Sequence, residues 1–454
     1  MKDWYDIRDY GAIGNGIAND TKAIQMAINE CNKNRGGTVY ISGGTFIAGS
    51  LYMKSNVYLN ISPSAVLLAS GNINDYEEDT HYNRYRNEHD MDRCWIYAED
   101  ITNFGITGNG EINGNAEAFP NDGSIYRPMM MRFLRCSHIH LESIKLYNSA
   151  AWTTAFLDSE FIWVTGVDIR NEKKYNGDGL DFDGCRHVYI SDCYIKGTDD
   201  NLCLQAGNKE YPMQDVHISN CEFTSICAAV RIGLKSVGDI TDIVIQNCTM
   251  KNVWREGIKI ECTEGGNISD ITINNVIMKN VTRPIFVILN NRFEPDGLGS
   301  SIELVKMPEI GKLQRIYISN IIAVDDEEMK HIHVRFNNDV MGRPEFNGIR
   351  FDAEENHLIE DVVISNLSYT FVGGVKAIDI PTEYPKVLDR IKSSEGVTSE
   401  NYYPDWSRAT YLDMRNIKNL SLNGVYLKSI YKDERKPVIL ENCSVVEQKI
   451  IELS

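Results

Sequence analysis

From about residue 95 the chain repeats one short pattern of apolar and polar positions. Two apolar residues alternate with two others, then a turn-forming residue and another apolar one follow. The pattern reads Ile139-His140-Leu141-Glu142-Ser143-Ile144, then Ile162-Trp163-Val164-Thr165-Gly166-Val167, then Val188-Tyr189-Ile190-Ser191-Asp192-Cys193. Later copies start at Val216, Ile243, Ile271, Ile316, Val363 and Leu420. Alternation over so few residues predicts short strands. One such strand cannot bury its own face, but stacked copies bury a continuous core. The turn residues Asp192, Asn220, Asn247 and Asn275 are 28, 27 and 28 residues apart, which suits a coil winding of roughly 20–30 residues. A sandwich would need a turn about every 8–12 residues, and the chain lacks them. The reading is an all-β, parallel β-helix.

An Asn at the same corner of each winding can bond its own turn and its stacked neighbour, giving a ladder. The gaps from Asn275 to Asn320 and Asn320 to Asn366 are 45 and 46 residues, more than one winding. They predict loops or extra strands at 290–299, 325–351 and 373–408. Residues 1–70 read differently. Asp20-Thr21 suits a helix start, and Ala23, Ile24, Met26, Ala27, Ile28 and Cys31 give an apolar face. Asn34-Arg35-Gly36-Gly37 ends it, and strand-like runs follow at 38–41, 44–47, 57–59 and 65–68. A coil has an open end that needs covering, so this helix is expected to cap it. No linker divides the chain, so 1–454 reads as one domain with windings over 95–450.

Composition narrows the partners. The chain has 454 residues, 43% apolar and 24% charged, with 64 acidic against 46 basic residues and a net charge of −18. That balance disfavours nucleic acid and anionic membranes. No apolar run reaches the roughly 18 residues of a membrane span. The first residues carry no apolar leader, which points to the cytoplasm. Of the eleven cysteines several sit within strand patterns; none shows metal-ligand spacing, and they read as reduced core thiols.

The densest chemistry lies between Asn176 and Gln205. Three acidic groups occur there: Asp178, Asp181 with Asp183, and Asp199 with Asp200. Asp178 and Asp199 are 21 residues apart, about one winding. Residues one winding apart stack at about 4.8 Å, so Asp178 is expected beside Asp199 and Asp200. Asp183 by itself reads as a turn acid.

These motifs resemble a known family. Ile7-Arg8-Asp9-Tyr10-Gly11-Ala12, Asn19-Asp20-Thr21 and Gly36-Gly37-Thr38-Val39 are similar to the opening of pectin-degrading right-handed β-helix enzymes. Asn176-Gly177-Asp178-Gly179 and Thr198-Asp199-Asp200 resemble the paired motifs of polygalacturonases, glycoside hydrolase family 28. The resemblance implies a right-handed β-helix and inverting hydrolysis of glycosidic bonds, with no metal or organic cofactor. It implies that Asp199 is the general acid, and that Asp178 and Asp200 hold the attacking water. Crowding of three carboxyls would raise the pKa of at least one.

Two departures bear on the substrate. The family's Gly-His-Gly falls on Cys227-Ala228-Ala229-Val230-Arg231-Ile232-Gly233, without the His. Its Arg-Ile-Lys falls on Lys259-Ile260-Glu261, so an acid replaces one cation. Asn176, Arg231, Lys259, Glu261 and Arg283 are then the candidate substrate contacts, with Arg231, Lys259 or Arg283 supplying positive charge. Against this, Lys259 and Glu261 share a strand face and read equally as a surface ion pair. The expected partner is an oligosaccharide, cleaved from one end. A pectic galacturonide and a neutral glycoside both remain open, as do a calcium-dependent uronate lyase and a non-catalytic carbohydrate-binding β-helix. Of the aromatic residues Trp152, Tyr175, Trp254, Phe293 and Trp406, Tyr175 is the best candidate to meet a sugar; the others read as core.

Overall fold

A computed structural model describes residues 3–77, 93–121, 126–291, 309–330, 334–336, 339–341, 348–379 and 407–453. The chain divides into two compact units, Met1–Leu202 with Asp215–Cys221, and Cys203–Gln214 with Glu222–Ser454.

In the first unit each winding is built from three short strands on three walls. On one wall Gly37–Ile41, Val57–Ile61, Thr102–Thr107, Ser137–Glu142, Glu160–Thr165 and Arg186–Ser191 stack parallel. Val39, Leu59, Ile106, Leu141, Val164 and Ile190 fall in one register column, and all are buried. This is the period-two alternation turned into a continuous core. A second wall stacks Cys94–Glu99, Met129–Leu134, Thr154–Leu157 and Leu180–Asp183. There Phe133, Phe156 and Phe182 share a column, with ring centroids 5.4 and 4.7 Å apart. On the outer side His140, Trp163, Tyr189 and His217 stack in turn at 4.7, 5.9 and 5.3 Å.

The helix runs Thr21–Lys33 and buries Ala23, Ile24, Ala27, Ile28 and Cys31. Met26, expected on that face, is 55% exposed. It lies two residues from both Ile24 and Ile28, a spacing that turns a side chain away from the stripe. Asp20 holds the N-cap position but makes no side-chain cap bond. Its carboxylate instead accepts the N–H groups of Ile13 and Gly14, at 2.7 and 3.0 Å. Asn19 Oδ1 takes the Thr21 N–H at 3.0 Å.

The second unit stacks Ile240–Cys262, Asn267–Leu289, Lys312–Val324, Ile359–Gly373 and Ala409–Tyr431 in parallel. Ile245, Ile273, Ile318, Ile364 and Leu422 form its core column. The corner residues Asn247, Asn275, Asn320 and Asn366 all have φ between 51° and 56°, a left-handed conformation that Asn tolerates best after Gly. Asn275 Nδ2 donates to Asn247 Oδ1 at 2.8 Å, and Asn366 Nδ2 to Asn320 Oδ1 at 3.1 Å. At the long insertion the ladder slips by one residue, because Asn320 donates to Asn274 and not to Asn275.

The long insertions differ from the sequence reading in one respect. Ile349–Phe351 are not decoration: they belong to the strand Ile349–Ala353, which pairs in parallel with the strand ending at Leu289. Ahead of it, Val334–Phe336 and Asp339–Met341 form a small antiparallel pair. Most of 290–299 and 373–408 lies outside the described residues, together with Phe293 and Trp406. All eleven cysteines are free thiols, and ten of them are buried.

Candidate active site

The acids of the first unit are assembled by two turns lying one on the other. Gly179 N–H donates to the Asp200 carbonyl at 3.0 Å, and Leu180 N–H to the Asn201 carbonyl at 2.9 Å. A Cβ on Gly179 would stand 2.3 Å from the Asn201 carbonyl oxygen, so only glycine permits this approach. The stacking brings the carboxyls together. A carboxylate oxygen of Asp178 lies within 4.8 Å of one on Asp200, and one on Asp199 within 4.8 Å of Asp200. Asp178 and Asp200 are buried, and Asp199 is half-buried.

The turn carrying Asp178 is pinned from several sides. Thr153 donates both its N–H and its hydroxyl to the Asp178 carbonyl, at 3.1 and 2.6 Å. The Thr198 hydroxyl accepts the Gly177 N–H at 3.1 Å and donates to the Lys174 carbonyl. Asp199 Oδ1 accepts the Asp200 N–H at 2.9 Å, which fixes one carboxylate rotamer. Asp183, read as a turn acid, is instead buried at the end of the strand Leu180–Asp183, as is Asp181 within it.

Arg127 escaped the sequence reading. It is fully buried, its guanidinium lies 5.7 Å from the Tyr175 ring, and its Nη2 donates to Asn176 Oδ1 at 2.9 Å. Nothing local marks it, since Asn176 is 49 residues away. Trp152 packs in a cluster with Met129, Leu134, Ala155 and Leu157, the core role expected of it. The close carboxylate pairs could hold a divalent cation, with water completing the roughly 6–8 oxygens that calcium takes.

The second unit holds the remaining candidates in a buried ionic cluster. Arg231 and Lys259 are register partners, as are Gly233 and Glu261. Gly233 has φ +91°, and a Cβ there would lie 2.0 Å from the Glu261 carbonyl oxygen. Arg231 Nε sits 2.9 Å from Glu261 Oε2, and Lys259 Nζ 3.4 Å from Glu261 Oε1. Lys259 and Glu261 do pair, but at zero exposure rather than at the surface. The extra acid is therefore matched by cations on two rungs.

Glu256 and Arg255 are further members that the sequence reading missed. Arg283 Nη2 lies 3.0 Å from Glu256 Oε1, Arg255 Nε 3.5 Å and Lys259 Nζ 3.7 Å from Glu256 Oε2. Burial pushes the Glu256 carboxyl up. Lys259, Arg255 and Arg283 outweigh it and bring the pKa down to about 2. Alternation revealed that Lys259 and Glu261 share a face; Glu256 reaches Arg283 only through a bulged register between rungs.

A coil of parallel strands with three carboxyls gathered by stacked turns defines a class of acidic-site β-helix proteins. The model of glycosyl hydrolases family 28 matches residues 31–308, and the chain belongs to that family. It is 28% identical over 274 residues to a probable polygalacturonase of Vitis vinifera, covering 56% of each chain. It is 24% identical over 298 residues to an exo-poly-alpha-D-galacturonosidase of Dickeya chrysanthemi, covering 53% of this chain and 49% of that one. The chain thus spans about half the length of these curated relatives. Among solved structures, the family 28 exopolygalacturonase of Yersinia enterocolitica matches with a TM-score of 0.70 at 20% identity, over 99% of this chain and 79% of that one. A hyperthermoactive exopolygalacturonase from Thermotoga maritima matches with a TM-score of 0.65 at 19% identity, over 82% and 88%. The fold is the right-handed parallel β-helix with an N-terminal helix.

Proposed function

We propose that this chain is a glycoside hydrolase that removes sugars from one end of pectin-derived galacturonide oligosaccharides. One observation carries the reading: carboxylate oxygens of Asp178 and Asp199 each lie within 4.8 Å of Asp200. In this reading Asp199, the most open of the three, protonates the leaving oxygen. Asp178 and Asp200 hold a water between them and take its proton as it attacks the anomeric carbon. The bond from carbon to leaving oxygen breaks, that oxygen gains the Asp199 proton, and the water oxygen stays on the sugar. Relatives described as exo-acting galacturonidases support the substrate and the mode of attack. Within the second unit's ionic cluster Arg231 and Arg283 keep 13% and 10% of their side-chain surface, whereas Lys259, Glu256 and Glu261 keep none.

The same spacing favours a second reading. Inverting enzymes hold their two carboxyls about 6.5–9.5 Å apart and retaining ones about 5 Å. The close Asp199–Asp200 pair therefore also suits attack by Asp200 itself and a retained product. Proton resonance of the first-formed sugar decides between them, with inversion expected when Asp178 and Asp200 share the water. A panel of galacturonides and neutral galactosides tests the substrate. Release of galacturonate from the charged set supports the proposal, and cleavage of neutral sugars alone refutes it. An unsaturated, ultraviolet-absorbing product lost with a chelator would replace hydrolysis by elimination.

A further inference from the structure

The contact between Arg127 and Asn176 fixes more than the backbone. A guanidinium has five N–H donors and no acceptor. An amide has one acceptor atom and one donor atom, which ordinary maps confuse and only partners tell apart. Arg127 Nη2 lies 2.9 Å from the Asn176 side chain, so the atom facing it must be the oxygen. The Nδ2 group is then left to donate to another partner. Asn176 is half-buried, two residues before Asp178, at φ 53°. No other hydrogen bond of its side chain is seen among the described residues.

Arg127 is built to hold this state. It is fully buried just ahead of the strand Met129–Leu134. Its Nη1 donates to the carbonyls of Ala150 and Tyr175, at 3.2 and 2.5 Å, and the Tyr175 ring lies 5.7 Å from the guanidinium carbon. Three contacts thus converge on residues 175 and 176. Lysine offers no planar fork and could not make them together.

We infer that Arg127 is a positioning residue that locks the Asn176 amide as a hydrogen-bond donor toward the substrate, so that Asn176 selects an acceptor group, the carboxylate of a uronic acid. This rests on the reading of Asp178, Asp199 and Asp200 as the hydrolytic site. It separates two kinds of polar contact there: carboxylates accept from sugar hydroxyls, and Asn176 donates to an oxygen that carries no proton.

The test is galacturonate binding, measured by calorimetry in the Asp199→Asn background with galactose as the uncharged control. Arg127→Met and Asn176→Ala are each expected to weaken galacturonate binding about tenfold, the loss of one hydrogen bond to a charged group. Galactose binding should change less than about twofold, since it lacks the acceptor. The double variant should bind no more weakly than either single one, because Arg127 acts through Asn176. Additive losses, or equal losses for both sugars, overturn the inference. Asn176→Asp guards against a folding defect in Arg127→Met. Its carboxylate keeps the Arg127 contact but has no donor, so it too should lose galacturonate; wild-type affinity in that variant overturns the donor role. Hydrolysis that survives Asp199→Asn would refute the catalytic reading instead, whatever the binding cycle shows.

Discussion

Gly179 gives its backbone N–H to the carbonyl of Asp200, 3.0 Å away, although 21 residues of chain separate them. That bond turns a sequence interval into a site. It lays one turn on another and so places Asp178 beside Asp200. Any side chain at Gly179 would meet the Asn201 carbonyl at 2.3 Å. Gly179→Ala is therefore expected to separate the turns and cut hydrolysis at least about tenfold, since small misplacements are costly at reacting centres. Initial rates alongside a melting curve check this; unchanged rates would show that the turns need not touch.

The buried ionic cluster predicts a stability effect. Lys259 and Glu261 are fully buried, and Glu261 also holds Arg231. Lys259→Met leaves Glu256 and Glu261 with fewer cations, and removing one partner of a buried pair costs about 3–5 kcal/mol. Denaturant unfolding should show a loss of that order; a change below about 1 kcal/mol, typical of exposed pairs, would place the cluster in contact with water.

The same cluster predicts an acid limit. Three cations hold Glu256 at a pKa of about 2, below its ordinary 4.5. Its folded pKa is depressed, so its contribution is complete above the unfolded value and is lost as pH falls through the folded one. Stability should therefore decline between about pH 4.5 and about pH 2, less steeply in Glu256→Gln. An identical acid profile in that variant would assign the decline to other carboxylates.

The corner ladder predicts a smaller effect. Asn275 has φ 55° and donates to Asn247 at 2.8 Å. Asn275→Ala should cost about 1–2 kcal/mol through left-handed strain, with about 1 kcal/mol more from the lost bond. Asn275→Gly should recover the strain part alone. If both substitutions cost the same, the side-chain bond carries the effect and the backbone conformation does not.

These cases show what the sequence makes legible. Asp192, Asn220, Asn247 and Asn275 announce the winding because each of these corners holds a left-handed backbone, which Asn and Asp tolerate. The interval between Asp178 and Asp199 announces the site because it equals one winding. Arg127 and Glu256 are silent for the opposite reason. Each is placed by contacts with a distant rung, and neither sits in a local pattern. Burial of Lys259 and Glu261 was illegible too, since such residues are almost never fully buried unless paired; their partner Arg231 is 30 residues from Glu261. Asp20 shows a local signal with two uses, since a residue suited to cap a helix can equally hold the preceding turn.

The proposed hydrolysis stands or falls on Asp199. Digalacturonate offered to the wild type and to Asp199→Asn, with matched melting curves, measures its role directly. General acid catalysis contributes about 10²–10⁴-fold, so the variant should lose that much in kcat while its KM stays within about threefold. Equal kcat for the two proteins would contradict the role of Asp199 and the site built around it.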